Sequence, residues 1–419
     1  MSAARVASVS CGVWLTGPFN RAGAAASVAA MARTRLARRL HGIAPTIFSE
    51  MSALAARTGS VNLGQGFPDV DGPPEVIARA VEALGAGANQ YAPGPGVPAL
   101  RQAVARHQAR HYGIELDPDT EVVVTTGATE GVAAALLGLL DPGDEVVLLE
   151  PSYDSYDAMV QMAGGVRRGV TLRAPDFRLD ADALRAAVTP RTRLLLLNSP
   201  HNPTGTVLTR AELQVVADVA LAHDLVVVTD EVYEHLVFDD HEHVPLATLP
   251  GMAGRTLTLS SAGKSWSFTG WKVGWATGPA DLVGAVLAAK QWLTFTSGAP
   301  LQPAVAHALD HEPDFPRRLA ADLQQRRDLL CAGLRGLGLD PRVPEGTYFA
   351  LTDTAHLGWR DGLELCLALP ERAGVVAVPL QGFYDDPEAG RHLVRWAFCK
   401  TTDVVTEGLA RLGAADLTR

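Results

Sequence analysis

Lysine is nearly missing from this chain. Of its 36 basic residues only Lys264, Lys272, Lys290 and Lys400 are lysine, and the other 32 are arginine. A chain that has drifted so far toward arginine gives up any lysine whose sole contribution is charge. Arginine, however, does not form an imine under ordinary conditions and does not release its proton. A retained lysine is therefore a candidate for amine chemistry, and "SAGKSWSFTGWKVGW" at 261–275 holds two of the four. Cysteine is equally scarce. Cys11, Cys331, Cys366 and Cys399 form no C-x-x-C pair, which argues against a disulfide framework or a zinc knuckle and fits a reducing, cytoplasmic compartment. No apolar run approaches the roughly 20 residues of a membrane span, so no membrane crossing is expected. Positive charge is also in deficit: the net charge of −10 opposes binding to a phosphate backbone, and nucleic acid is not expected as a partner.

Acidic residues are absent from the first 49 positions, where Arg5, Arg21, Arg33, Arg35, Arg38 and Arg39 stand among alanines and serines. That composition resembles an organellar transit peptide. The preferred reading is an upstream start in an arginine- and alanine-rich bacterial proteome, with Met31 as the functional start. Residues 1–35 are therefore set aside as an extension, disordered or preceding the native start. "DDHEHV" at 239–244 has metal-binding residue types, but three acids and two histidines in a short polar stretch read as a solvated turn. No metal is expected.

What is present in abundance is apolar surface, 47% of 419 residues, enough for two closely packed lobes. From about 120 to 295, the runs "EVVVTT", "EVVLLE", "RLLLLN", "LVVVTD" and "TLTLSS" alternate with amphipathic stretches. That is an α/β pattern, with a mostly parallel central sheet between helices. Such sheets bind ligands at the carboxyl ends of their strands. Those ends supply Gly127, Ala128 and Thr129, then Asn202, Asp230 and Lys264. After about 300 the texture changes to a long helix and short strands, a smaller α+β domain. The expected division is 36–60 with 300–419 as the small domain and 61–299 as the large one.

An amine, a carboxylate, hydroxyls and a glycine-rich helix start are what a pyridoxal phosphate site requires. The lysine forms the imine, and a carboxylate at the pyridine nitrogen keeps that nitrogen protonated so that the ring can accept electrons. At 4 Å and an effective dielectric of about 20 such a pair is worth roughly 4 kcal/mol, about three pKa units. Asp230 is placed to supply it. The turn in "TTGATEGVAAALLG" leaves backbone N–H groups and a helix dipole free for a phosphate.

"NSPHNPTG", "TDEVYEHLVF", "SAGKSWSFTGWKVGW", "PEGTYF" and "HLVRWAFCK", in this order and spacing, resemble the class I and II aminotransferases of pyridoxal phosphate fold type I. "VNLGQGFPDVDGPP", "NQYAPGPGVPALR" and "EPSYDSY" resemble the branch of kynurenine, glutamine and methionine aminotransferases and actinobacterial N-succinyldiaminopimelate aminotransferases. The resemblance runs from about residue 44 to the end. It implies that Lys264 is the Schiff-base lysine and general acid–base, Asp230 the pyridinium partner, and Asn202 and Tyr233 the hydrogen-bond partners of the ring oxygen. It implies that Tyr153 stacks on the ring and that Ala128, Thr129, Ser261 and Lys272 hold the phosphate. Tyr91 would reach the phosphate of a neighbouring subunit, making the enzyme a homodimer. Arg395 would fork onto the substrate carboxylate, Gly66 would line that pocket and Phe295 would shape it. The implied activity is ping-pong transfer of an amino group between an L-amino acid and a 2-oxo acid, N-succinyldiaminopimelate and glutamate first. The alternatives are kynurenine, glutamine or methionine transamination with carbon–sulfur β-lyase activity, and a cofactor-sensing regulator. A regulator would need a DNA-binding module of some 60 residues or more upstream, which the extension is too short to supply.

Overall fold

The computed structural model describes residues 36–43 and 45–419, so the expectation for residues 1–35 lies outside the described residues. Two units are distinguished, Met1–Ala44 and Pro45–Arg419. In the first, the described residues form one short 3-10 turn, Arg38–Leu40.

In the second unit, strand β1 (Val61–Asn62) opens the chain's sheet structure. The large sheet then follows as β2 (Val122–Thr126), β3 (Glu145–Glu150), β4 (Val166–Thr171), β5 (Thr192–Asn198), β6 (Val226–Asp230), β7 (Thr256–Ser261) and β8 (Val273–Thr277). Its order is β2-β8-β7-β6-β5-β3-β4. Every neighbouring pair is parallel except those made by β8, which runs against both β2 and β7. The expected mostly parallel sheet is thus present. Its central strands carry apolar cores because both faces are covered: β3 is buried at all six positions, with Val146–Leu149 between two glutamates, as a strand between two helical layers must be. One layer, with helices Gly127–Leu139 and Ala280–Leu293, packs through Val132, Leu136, Leu282 and Val286.

The remaining strands are β9 (Pro341–Arg342), β10 (Phe349–Asp353), β11 (Val375–Val376), β12 (Val378–Pro379) and β13 (Leu393–Ala397). They build a four-stranded sheet, β12-β13-β10-β9, while β1 pairs in parallel with β11. Register within the small sheet puts Arg395 opposite both Leu351 and Val378. Helix Ile47–Thr58 packs on β11, β12 and helix Gly362–Ala373. Helix Leu301–His311 instead joins helices Pro74–Gly85 and Pro98–Tyr112 in a layer built on Leu100, Val104, Val305 and Leu309.

Candidate active site

The carboxyl ends of β2, β5, β6 and β7 converge on one place. Asp230 is the last residue of β6 and 7% exposed. Tyr156 donates its hydroxyl to Asp230 Oδ2 at 2.7 Å, and the Val232 N–H donates to Oδ1 at 3.3 Å. Burial raises the Asp230 pKa, and the Tyr156 and Val232 hydrogen bonds and Lys264 oppose the rise. Just past β7, the short helix Ala262–Ser265 presents Lys264, its Nζ 5.8 Å from the Tyr233 ring centre and 5.7 Å from that of Tyr348. Burial lowers its pKa to about 8, against opposing pulls from Cys399 and Asp230 and a reinforcing one from Lys272. The group is thus an amine much closer to its nucleophilic form at neutral pH than an ordinary lysine.

Asn198 fixes the loop after β5. Its Nδ2 donates to the Asp230 carbonyl at 2.8 Å, and its Oδ1 accepts from the Asn202 N–H at 2.7 Å. Asn202 Oδ1 in turn accepts from Arg395 Nη1 at 3.0 Å, and Gly64 O accepts from Arg395 Nη2 at 2.9 Å. Arg395 is 1% exposed and lies over Phe349, with its guanidinium carbon 3.9 Å from the ring centre. Burial lowers its pKa to about 10. Its Nε has no hydrogen-bond partner among the described residues. A buried guanidinium with an idle donor and no carboxylate bonded to it is built to receive one. Gly66 sits beside it for a steric reason: a Cβ there would meet Phe349 Cζ at 2.4 Å, and its carbonyl accepts from the Tyr348 hydroxyl at 2.7 Å.

The helix Gly127–Leu139 starts at the end of β2, with no side-chain cap on its first amides. Lys272 takes a left-handed backbone conformation (φ 54°, ψ 42°) and donates from Nζ to Thr129 Oγ1 at 3.2 Å. Two glycines make the approach possible. Gly127 adopts φ +67°, and a Cβ on Gly274 would lie 2.8 Å from Ala128 N. Strand register places Gly274 opposite both Ser261 and Thr125. Ala128, Thr129, Ser261 and Lys272 therefore gather around an uncapped helix N-terminus, an arrangement that favours an anion. Tyr153 precedes helix Asp154–Met162, its ring 5.6 Å from Tyr156 and 6.3 Å from Phe48.

Tyr91 and Phe295 are brought to each other. Their rings meet edge to face at 5.4 Å and are 83% and 50% exposed. Buried Lys290 ties the two segments, donating to Gly94 O at 3.2 Å and Phe295 O at 2.9 Å. The sequence reading of "DDHEHV" as one solvated turn needs amendment. Residues 239–242 are exposed, but His243 is 7% exposed and its Nε2 lies 2.9 Å from Glu231 Oε2, a buried acid that an inward-facing imidazole can satisfy. Sequence reasoning also passed over Tyr156, Asn198 and Tyr348, which hold Asp230, the Asn202 loop and Gly66. All three lie inside the motifs quoted for the resemblance, so position within a motif was the available signal.

The aminotransferase class I and II family matches residues 58–412. The chain belongs to that family. It is 55% identical over 386 residues to a protein of Mycobacterium tuberculosis named "Probable N-succinyldiaminopimelate aminotransferase", covering 89% of this chain and 97% of the relative. It is 39% identical over 374 residues to the methionine aminotransferase of Escherichia coli, again covering 89% and 97%. The solved structure of N-succinyldiaminopimelate aminotransferase from Mycobacterium tuberculosis superimposes with a TM-score of 0.89 at 54% identity, covering 90% of this chain and 99% of that one. The aminotransferase fold is therefore that of fold type I, and the protein is an enzyme of amino-group transfer. No helix among the described residues is long and apolar enough to cross a membrane.

Proposed function

We propose that this aminotransferase uses pyridoxal phosphate to move the amino group between N-succinyldiaminopimelate and the glutamate/2-oxoglutarate pair, as a cytoplasmic homodimer in amino-acid biosynthesis. The observation that carries the substrate is the 55% identity to the mycobacterial protein of that name, against 39% to the methionine enzyme. The residues present fit the cofactor on three counts. The amides of Ala128 and Thr129, with Ser261 and Lys272, suit its phosphate, because the helix start is uncapped and Gly127 and Gly274 leave no side chain in the way. Asp230 suits its ring nitrogen, and Lys264 is an amine already lowered to about 8 for covalent attachment. Asn202 and Tyr233 would serve the ring oxygen, Tyr153 the ring face and Tyr91 the phosphate of the partner site.

When bound, the cofactor supplies an electron sink for the pair released at the substrate Cα. Arg395 holds the α-carboxylate in its fork, with Gly66 and Phe349 closing the pocket behind it. Lys264 would take the proton from Cα and return it, as general base and acid. Burial raises the Asp230 pKa, and the Tyr156 hydroxyl and the Val232 amide oppose that rise by hydrogen-bonding the carboxylate. A second reading, transamination of methionine or kynurenine, is favoured by the apolar surface of Tyr91 and Phe295. The test is kcat/KM for N-succinyldiaminopimelate, methionine and kynurenine, each with its oxo acceptor. A tenfold preference for methionine or kynurenine, about 1.4 kcal/mol in transition-state binding, overturns the succinylated assignment. A two-lobe division belongs to the same proposal, with the large lobe extending past the expected boundary at 300 to take in helix Leu301–His311.

A further inference from the structure

Behind the segment that carries Asp230 and Tyr233 lies a group of side chains that amino-group transfer does not use. His107 and His111 stand one turn apart on helix Pro98–Tyr112, in "RHQARHY", and His235 follows β6 in "TDEVYEHL". The three rings converge, with centres 4.6 Å apart for His107 and His111, 5.0 Å for His107 and His235, and 4.9 Å for His111 and His235. One donor nitrogen from each lies within 4.8 Å of the other two. His107 and His235 face each other Nε2 to Nε2 at 2.8 Å.

We infer that His107, His111 and His235 form a binding site for a divalent transition-metal ion of borderline softness, Zn²⁺ foremost, with water completing the coordination. Three imidazoles are the donor set such ions take, and an i, i+4 pair on a helix presents two of them on one face. The H-x-x-x-H spacing at 107 and 111 places two of the three imidazoles one turn apart on the same helix. His107 is 1% exposed and fixed by packing, His235 is partly buried and His111 is exposed. The site is therefore anchored at one ligand and open to solvent at another, which gives an ion a way in and leaves room for the water. Zn–N bonds of about 2.0–2.1 Å in a tetrahedral site separate the nitrogens by roughly 3.3 Å. The 2.8 Å contact has to widen by about half an ångström, a shift that the less buried His235 can make.

The surroundings are not those of a generic histidine patch. Tyr112 lies parallel to His235 with ring centres 6.5 Å apart and donates its hydroxyl to Glu234 Oε2 at 2.7 Å, while Glu234 also accepts from Ser260. An ion here would join helix Pro98–Tyr112 to the 230–235 segment and so brace, from outside, the backbone that positions Asp230 and Tyr233. That is a bracing role and not a catalytic one.

The experiment uses tag-free holoenzyme treated with chelator and then titrated with ZnCl₂ against a chromophoric chelator, with metal content measured after dialysis. The expected result is one Zn²⁺ per chain. Affinity should fall at least tenfold in His111→Gln and in His235→Gln, and Zn²⁺ should raise the melting temperature in the parent but not in either variant. Loading with Co²⁺ should give the visible d–d absorption of a four-coordinate nitrogen site. His111 is exposed, so its variant folds whatever becomes of the more buried ligands. Failure of the parent to retain stoichiometric metal, or unchanged binding in His111→Gln, overturns the site.

Discussion

Replacing Arg395 with lysine keeps the charge and removes the fork, which makes it a sharp test of how the substrate carboxylate is held. In the present arrangement Nη1 and Nη2 bond Asn202 Oδ1 and Gly64 O, Nε has no partner among the described residues, and the guanidinium carbon lies 3.9 Å from the Phe349 ring centre and 4.7 Å from that of Phe48. A lysine ammonium reaches with one point of charge and cannot stack in the same way. The variant should lose at least one charge-assisted hydrogen bond to the carboxylate, worth about 1.5–3 kcal/mol, so kcat/KM should drop roughly 10- to 150-fold. If the carboxylate is gripped equally before and during reaction, that loss falls in KM and leaves kcat alone. The assay compares the amino donor with its α-carboxamide, in parent and variant, under single-turnover conditions. The parent should prefer the acid over the amide by about the factor given, and Arg395→Lys should erase most of that preference. An acid-to-amide preference unchanged in a variant with normal circular dichroism would refute the role assigned to Arg395.

Lys264→Ala should leave the cofactor held by noncovalent contacts and cut turnover by at least the roughly 10²–10⁴-fold of a positioned acid–base group; borohydride reduction of the parent followed by peptide mapping checks it, and a label on Lys272 or Lys290 contradicts it. Asp230→Asn should bind the cofactor but slow its reduction by an amino donor by up to about 10³-fold, the equivalent of the roughly 4 kcal/mol of a close ion pair, and a parental single-turnover rate excludes the role. Tyr156→Phe removes a hydrogen bond that favours the Asp230 carboxylate, so Asp230 should hold its proton to higher pH and the acid limb of the single-turnover profile should move upward; an unmoved limb shows that Tyr156 only packs. Loading of cofactor onto apoenzyme should accelerate about tenfold per pH unit below a midpoint near 8, because the Lys264 amine is lowered to about 8 and only its unprotonated form attacks; a midpoint near the ordinary lysine value of 10.5 rejects the burial argument.

The parts of the fold legible from sequence were those whose cause is local. Strands such as Glu145–Glu150 and Thr192–Asn198 announce themselves because a sheet covered on both faces demands unbroken apolar runs. The residues at their carboxyl ends follow from the same reading, which is how Asp230 and Lys264 were found. What was not legible depends on encounters between distant segments. Tyr156 meets Asp230 across 74 positions and Arg395 meets Asn202 across 193, and nothing in the local pattern of either partner announces the other. His243 was misread for the same reason: its partner Glu231 lies on a different segment, so a polar turn in the sequence conceals an inward-facing ring. The histidine group escaped because two of its members are a helical pair and the third arrives more than 120 positions later.

The scarcity of lysine takes on physical meaning once each of the four is seen in place. Lys400 is buried, donating to Phe67 O at 2.9 Å and Asp69 Oδ1 at 2.8 Å, and Lys290 is buried with two carbonyls as partners. Both use the ammonium as a compact centre with several diverging donors, which a flat guanidinium fork does not reproduce in the same space. Lys272 reaches from a left-handed backbone position to the start of helix Gly127–Leu139, where a Cβ on Gly127 would come within 3.0 Å of its Nζ, so the glycine is what leaves the ammonium room. Geometry explains Lys290 and Lys400, whereas Lys272 supplies a charge that arginine could also carry. Lys264 is different in kind. It faces the rings of Tyr233 and Tyr348, and burial has pulled its pKa down to about 8. Retention against an arginine-rich background therefore selects for shape in two cases and for a releasable proton in one, and mutation can separate them. Arginine at 290 or 400 should cost stability, arginine at 272 should be tolerated, and arginine at 264 should abolish the reaction itself.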